Sequence, residues 1–325
     1  MHLPVETLDD ALHRLYPLLL SAPLVAGTTR GDNRELLGVS IEISKPRARL
    51  SRTETRGKPF SSLGELLWYL SRDNKLAFIE PFVPAYRNES EDNVSVYGGY
   101  GPRLFGQRGH DQVANVLSIL SDRPTTRRAV IQIFNAEDLA APHIEIPCTT
   151  TLQFFLREKK LEMIAIMRSN DAYKGLPHDV FCFTMIQELL ARSLEAEIGT
   201  YRHFAGSMHL YSGDENDAMR LTEEGLQSRI EMPPMPHGDP WPAVGAVMNA
   251  LERIRSHEQL DASTFGLDNY WSDVIRLLQV FAATGDASAI ASLRKTMASD
   301  CYKHYIDTRA RMPAKMDRFG TSEEA

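Results

Sequence analysis

Apolar positions in the first two thirds of the chain follow helical and strand-like spacings in turn. Residues 5–20 repeat apolar side chains every three to four positions, which predicts an amphipathic helix. The segment "SSLGELLWYLS" predicts a second helix, with its leucines on one face and Ser61 or Ser62 as the N-cap. Similar patterns predict helices at about 111–121 and 180–194.

Several segments between these helices have the composition of strands. They alternate in polarity or are rich in β-branched and apolar residues: "RELLGVSIEIS", "PRARLSRTET", "RRAVIQIFN", "IPCTTTLQFFLR", "KLEMIAIMRS" and "RHFAGSMHLYS". The predicted fold class is therefore α+β, with a mixed or antiparallel sheet backed by helices.

A proline-rich stretch divides the chain. "MPPMPHGDPWP", residues 232–242, has five prolines in eleven positions, which excludes a continuous helix or a central strand. Three helical patterns follow it, at about 242–257, 268–284 and 286–307. We predict a catalytic domain at 1–231, a linker at 232–242 and a C-terminal helical segment at 243–325.

The charge balance and the lengths of the apolar runs limit the function classes. The net charge of -7 argues against a general nucleic-acid binder, which needs an excess of Lys and Arg on one face. The apolar run near the N-terminus is too short for a signal peptide, and no apolar stretch approaches the roughly 20 residues of a membrane helix. The sequence predicts a cytoplasmic protein with neither a membrane nor a nucleic-acid partner.

The three cysteines, Cys148, Cys182 and Cys301, form no CxxC pair, so neither a disulfide framework nor a metal site is predicted. A lone cysteine is most often a buried structural residue. Cys148, however, follows a proline at the start of a predicted strand, and arginines occur at or near the ends of neighbouring strands. Such arginines lower the pKa of a thiol and bind phosphate, so Cys148 is a candidate nucleophile beside a phosphate site.

Six motifs occur in an order that is similar to the thymidylate synthase family, including its pyrimidine hydroxymethylase branches. They are "GELLWYLS", "VYGGYG", "TTRRAVIQIFN", "IPCTTTLQFF", "MRSNDAYKGLPHDVF" and "GSMHLYS", and the resemblance covers about residues 28–222. It implies the fold of that family, a pyrimidine nucleoside monophosphate as substrate, 5,10-methylenetetrahydrofolate as cofactor, and a homodimer.

The resemblance also implies roles for individual residues. Cys148 matches the nucleophile that adds to C6 of the pyrimidine, after which C5 attacks the methylene group of the folate. Glu65 matches the glutamate that organises water and proton transfer, and Tyr97 matches the tyrosine near C5. Without the resemblance, Glu65 would be read as the exposed face of a helix and Tyr97 as a turn residue.

The remaining matches concern binding. The implied nucleotide-binding residues are Arg168 and Ser169 for phosphate, Arg127 and Arg128 for phosphate across a dimer interface, and His209 and Tyr211 for the sugar hydroxyl. Arg30 is matched to the arginine of a mobile loop, with Arg34 as the competitor. The implied cofactor contacts are Asp171, Glu65, Tyr86 and Gly175.

Asp179 stands where the uracil-specific enzymes carry asparagine. A carboxyl group accepts a hydrogen bond from the amino group of cytosine, and it pairs with N3 when either partner carries a proton. The alternative is that Asp179 is the N-cap of the helix that begins near residue 180. We favour base recognition, which implies dCMP or CMP as the substrate.

A second departure concerns the product. Methylating members of the family shield the reacting centre with a tryptophan, where this chain has Tyr86 and Arg87. The loss of the indole favours the addition of water, and Thr149 replaces the usual histidine beside the cysteine. The family's usual C-terminal sequence is also not recognisable here, so the sequence does not identify the residues that close the site.

These features predict a homodimeric cytidylate 5-hydroxymethyltransferase. Two alternatives stay open: methylation of dCMP or dUMP, and a catalytically silent homologue that binds a nucleotide or RNA. Residue types do not decide between ribose and deoxyribose.

Overall fold

The computed structural model describes residues 1–28, 30–313 and 319. The chain forms two compact units, Met1–Met232 and Pro233–Ala325. None of the helices among the described residues is long and apolar enough to span a membrane.

The first unit is built on a mixed sheet of seven strands. The strands are β1 (His2–Val5), β2 (Leu24–Val25), β3 (Asn33–Ile43), β4 (Val130–Gln132), β5 (Thr149–Arg157), β6 (Lys160–Asp171) and β7 (Glu197–Tyr211). Their order is β1-β3-β7-β6-β5-β4, and β2 pairs with β3. The β1–β3 and β6–β7 pairs are parallel and the other pairs are antiparallel. The α+β class predicted from the sequence is confirmed.

Seven helices of the described residues belong to this unit. They are α1 (Leu8–Leu20), α2 (Pro59–Leu70), α3 (Leu76–Ile79), α4 (Tyr100–Phe105), α5 (Gln112–Asp122), α6 (Gly175–Ser193) and α7 (Glu215–Glu223). Helix α6 packs on β6 and β7 and also against α2. Alternate residues of β6 are buried, as expected of a strand with helices on one face.

Three local predictions for this unit differ from the structure. "PRARLSRTET" forms no strand. Helix α2 begins at Pro59 after Lys58, so neither Ser61 nor Ser62 is its N-cap, because a proline is favourable in the first helical turn. Helix α6 begins at Gly175, five residues earlier than predicted, with Lys174 at the N-cap position.

The second unit is helical. It contains α8 (Trp241–Arg255), α9 (Asn269–Ala282), α10 (Ala287–Thr296) and α11 (Lys303–Ala310). The single helix predicted at 286–307 is divided, because the buried carboxylate of Asp273 accepts hydrogen bonds from the backbone N–H groups of Ala298 and Ser299. These backbone groups are thereby held outside a continuous helix.

Candidate active site

A cavity of about 450 Å³ opens in the first unit. Residues from α2, the segment 82–86, the end of β6 and the first turns of α6 line it, together with the segment that precedes β5. Seven residues singled out from the sequence are among its lining: Arg30, Glu65, Tyr86, Cys148, Asp171, Gly175 and Asp179. The volume is within the range of small-molecule sites.

Cys148 lies immediately before β5, where neighbouring strands hold it beside Arg168. The backbone N–H of Arg168 donates to the carbonyl of Cys148 at 2.8 Å. The guanidinium donates to the carbonyls of Pro147 and Ile146 at 3.0 and 3.1 Å, and Nη2 lies 3.7 Å from Sγ of Cys148. Arg168 therefore fixes the backbone of the cysteine segment and also places a positive charge beside the sulfur.

The Cys148 thiol is nevertheless not activated in this structure. Burial raises its pKa to about 12; the nearby charge of Arg168 opposes that rise, and the carboxylate of Glu145 adds to it. The sequence had suggested that arginines lower the pKa of this thiol, and their effect here is smaller than that of burial. The thiol needs a base or a change in its surroundings before it can attack.

Two carboxylates hold Arg30 at the edge of the cavity. Its guanidinium forms ion pairs with Glu89 at 3.0 Å and with Glu145. Glu145 also lies 3.9 Å from Sγ of Cys148 and 4.0 Å from Nη2 of Arg168. Burial raises the pKa of Glu89 to about 7, although Arg30 opposes that rise. Arg30 and Arg168, two of the arginines matched to nucleotide binding, thus lie beside carboxylates of the protein itself.

Glu65 is the centre of a polar network on another wall. Its side chain is buried and accepts hydrogen bonds from the hydroxyls of Tyr69 and Tyr86, and it pairs with Nδ1 of His178 at 2.8 Å. Burial alone would raise the pKa of Glu65, but the contacts with His178, Tyr86 and Tyr69 outweigh it and lower the pKa. Nε2 of His178 lies 3.1 Å from Oγ of Ser61. Glu65 is therefore a buried anion that can orient water.

Tyr86 contributes a hydroxyl to this wall rather than a bulky apolar surface. Its ring packs edge-on against Trp68, with centroids 5.0 Å apart. Arg87 points elsewhere and pairs with Glu80 at the surface. Trp68, Phe82 and Pro84 also line the cavity, so it offers apolar side chains against which a flat heterocycle can pack.

Asp179 lies on the first turns of α6 and faces the cavity. It is not the N-cap, because α6 begins at Gly175 and Oδ2 of Asp179 accepts a hydrogen bond from Nδ2 of Asn170 at 2.7 Å. Burial raises its pKa well above the usual range, and the negative charge of Glu65 adds to this effect. The protonated carboxyl is thus favoured, and one of its oxygens already has a partner in the protein.

Neighbouring strands bring together the residues that are predicted to bind the sugar and the folate. Asp171 is opposite His209, and Oγ of Ser169 lies 3.5 Å from Nδ1 of His209. The rings of His209 and Tyr211 are in contact, with centroids 5.0 Å apart. The carboxylate of Asp171 accepts from the backbone N–H groups of Tyr173 and Lys174, which stabilises the turn before α6.

Seven predicted site residues lie outside the cavity lining: Tyr97, Arg127, Arg128, Arg168, Ser169, His209 and Tyr211. Arg127 and Arg128 are exposed in the loop before β4. The ring of Tyr97 stacks on His143, with centroids 3.6 Å apart. Tyr100 lines the cavity instead, and its hydroxyl donates to Oγ1 of Thr149 at 2.9 Å.

The competitor Arg34 is also outside the cavity, where it pairs with Glu215. Sequence reasoning assigned no role to several polar residues that line the cavity, among them Glu89, Tyr100, Glu145, Asn170 and His178. Two of them, Asn170 and His178, lie inside quoted motifs next to assigned residues. Glu89 and Glu145 carry no local signal, because only the folded chain brings them to Arg30.

Comparisons with known proteins bear on the family of this chain. The family model described as Thymidylate synthase matches residues 38–271. A deoxyuridylate hydroxymethyltransferase of Delftia phage PhiW-14 is 30% identical over 207 residues, which are 58% of this chain and 57% of that protein. A deoxyuridylate hydroxymethyltransferase of Bacillus phage SP01 is 28% identical over 269 residues, 74% of this chain and 70% of that protein. The chain thus spans less than two thirds of the first relative and somewhat more of the second. By the extent of the family match, the chain belongs to the thymidylate synthase family.

Proposed function

We propose that this protein transfers a one-carbon unit from 5,10-methylenetetrahydrofolate to C5 of a cytidine monophosphate, dCMP or CMP, and that water completes the reaction to give the 5-hydroxymethyl nucleotide. The catalytic residues belong to the first compact unit in this proposal. The environment of Asp179 is the observation that carries it.

A protonated Asp179 complements cytosine. Its hydroxyl can donate to N3 of the neutral base, and its other oxygen can accept from the amino group at C4. Burial raises the pKa of Asp179 and so favours this form. The rival assignment as an N-cap is removed, since the carboxyl bonds Asn170 rather than the start of α6.

The wall around Glu65 supports water as the final reactant. The hydroxyl of Tyr86 donates to Glu65, and His178 lies on the other oxygen of the same carboxylate. A polar wall with an anion can position a water molecule, whereas an indole at the position of Tyr86 would exclude it.

The bound folate supplies the carbon at the oxidation level of formaldehyde. The residues of the chain have the following roles in the proposal. The thiolate of Cys148 adds to C6 of the base, which makes C5 nucleophilic. After C5 has gained the carbon and lost its proton, and the bond from that carbon to the folate nitrogen has broken with release of tetrahydrofolate, water adds to the exocyclic methylene of the pyrimidine. Glu65 orients that water. Departure of Cys148 from C6 restores the aromatic ring, and the net change on the nucleotide is the gain of CH₂O.

Phosphate binding is assigned to Arg30 and Arg168, which lie beside Cys148. Arg127 and Arg128 are exposed on the same chain, and in a homodimer they would serve the site of the partner subunit. The exposed apolar side chains of Val130 and Phe204 on the sheet are consistent with such a dimer.

A second candidate is hydroxymethylation of deoxyuridylate. The names of the two phage relatives favour it, because both are called deoxyuridylate hydroxymethyltransferases. They support the same chemistry with uracil instead of cytosine as the base. Asp179 is the feature of this chain that favours cytosine.

The test is an incubation of the purified protein with methylenetetrahydrofolate and, separately, dCMP, CMP, dUMP and UMP, followed by mass spectrometry of the nucleotide. A gain of CH₂O on a cytidine nucleotide is the expected result, and the better of the two identifies the preferred sugar. Turnover of uridylate alone would support the second candidate. A gain of CH₂ would mean methylation and would overturn the assigned role of Tyr86.

A further inference from the structure

A hydrogen-bond network of four buried or partly buried side chains runs from the core to the cavity. It begins at the hydroxyl of Tyr201, 2.8 Å from Nδ1 of His203. Nε2 of His203 lies 2.9 Å from Oδ1 of Asn170, and Nδ2 of Asn170 lies 2.7 Å from Oδ2 of Asp179. Tyr201 and His203 are fully buried and Asn170 is 3% exposed, so water does not compete for these contacts.

The hydroxyl of Tyr201, the residue farthest from the cavity, determines the direction of every hydrogen bond in this network. Within the described residues, the Tyr201 hydroxyl has no acceptor other than Nδ1 of His203. A buried donor without an acceptor is costly, so the hydroxyl donates to Nδ1. Burial lowers the pKa of His203 to about 3, so the ring is neutral and its single proton is on Nε2.

The remaining directions follow from this tautomer. Nε2–H of His203 donates to Oδ1 of Asn170, which places the amide nitrogen of Asn170 against Asp179. Oδ2 of Asp179 is consequently an acceptor. A proton on this carboxyl must then be on Oδ1.

The position of that proton matters for base recognition. A carboxylic acid that can carry its proton on either oxygen presents both possible donor and acceptor patterns, so it can pair with cytosine in one form and with uracil in the other. A carboxyl with a fixed proton presents one pattern and rejects the base with the opposite pattern, because two donors or two acceptors would then face each other.

We propose that Asn170, His203 and Tyr201 are positioning residues that fix the protonated oxygen of Asp179 and thereby set the choice between cytosine and uracil. This inference rests on the proposed function in so far as Asp179 reads the base. None of the three residues needs to contact the base for this role, because each acts through Asp179.

The test uses Tyr201→Phe, which removes one hydroxyl at the end of the network farthest from the cavity. His203 then loses the partner that fixes its tautomer, and the hydrogen bonds of the network can run in either direction. We expect the ratio of kcat/KM for the preferred base to that for the other base to fall about five-fold, the effect of one net hydrogen bond. Tyr16→Phe is the matched control. Its buried hydroxyl donates to the carbonyl of Ala172, which is not part of the network, so the substitution should leave the ratio unchanged.

A second measurement does not depend on activity. Nitrogen-15 NMR of the imidazole of His203 should show the proton on Nε2 in the wild-type protein, and a mixture of both tautomers in Tyr201→Phe. Asn170→Ala provides a second variant, and its ratio of kcat/KM for the two bases should also approach one.

The outcomes separate the two proposals. A wild-type preference for uridylate would overturn the proposed substrate. A ratio of kcat/KM values for the two bases that moves toward one in Tyr201→Phe would still support the role of the network. An unchanged ratio in both Tyr201→Phe and Asn170→Ala, or a proton on Nδ1 of His203 in the wild type, would overturn the inference.

Discussion

Replacing Glu145 by glutamine is expected to make the Cys148 thiol more reactive. Oε1 of Glu145 lies 3.9 Å from the sulfur. After burial, the negative charge of Glu145 is the largest contribution that raises the pKa of Cys148, which is about 12. At pH 8 such a thiol is ionised in about one molecule in ten thousand.

The size of the effect follows from the charge and the distance. Two unit charges about 4 Å apart interact by about 4 kcal/mol at an effective dielectric constant of about 20. The side chain of Glu145 is 19% exposed, so solvent screens part of its interaction with the thiolate. Reduced to about 1.4 kcal/mol, it corresponds to about a tenfold increase in thiolate population.

The assay is alkylation by iodoacetamide over a range of pH, quantified at each cysteine by peptide mass spectrometry. Cys182 and Cys301 are buried, so Cys148 should dominate the reaction. Glu145→Gln should react about tenfold faster than the wild type well below the pKa of the thiol. Glu137→Gln, which removes an exposed carboxylate paired with Arg108, is the control and should have no effect. Equal rates for Glu145→Gln and the wild type would refute the electrostatic argument.

Three further predictions concern the base, the nucleophile and stability. Asp179→Asn should shift preference from cytidylate toward uridylate, because an amide offers a donor to O4 and an acceptor for N3–H; an unchanged ratio of kcat/KM would contradict this. Cys148→Ala should abolish exchange of the C5 hydrogen of the nucleotide with solvent, measured by release of tritium; retained exchange would remove it as the nucleophile. The raised pKa of Glu89, about 7, means that its stabilising contribution is present below pH of about 4.5 and lost as pH rises through about 7. Relative to Glu89→Gln, the wild type should therefore lose up to about 3 kcal/mol of unfolding free energy between about pH 4.5 and 8 in urea titrations, and parallel pH curves would count against it.

The fold was predictable from the sequence where the pattern of apolar residues is determined by burial on one face. Strands β5, β6 and β7 and the α+β class were predicted from such patterns, and the motifs added the resemblance to a known family. The N-cap of α2 was missed, because Ser61 and Ser62 look like capping residues while Pro59 begins the helix two positions earlier.

The candidate site was predictable only in part, for a physical reason. Residues inside contiguous motifs, such as Cys148 and Asp179, could be assigned from their neighbours. Glu145 and Glu89 pair with Arg30, which is distant from them in sequence, and these contacts exist only in the folded chain. The pKa of Cys148 was misjudged for the same reason, since the extent of burial cannot be obtained from the types of neighbouring residues.

The ion pairs of Arg30 have a consequence for how the protein takes up its ligand. A phosphate group that reaches Arg30 does not meet a free cation, because Glu89 and Glu145 already neutralise it. Binding is then an exchange, in which the affinity is the difference between two sets of ion pairs. Glu89, once separated from Arg30, loses the interaction that opposes its raised pKa, so it takes up a proton near neutral pH. If Arg30 binds the nucleotide phosphate as proposed, we expect nucleotide binding to be coupled to proton uptake and ligands of smaller charge to bind more weakly.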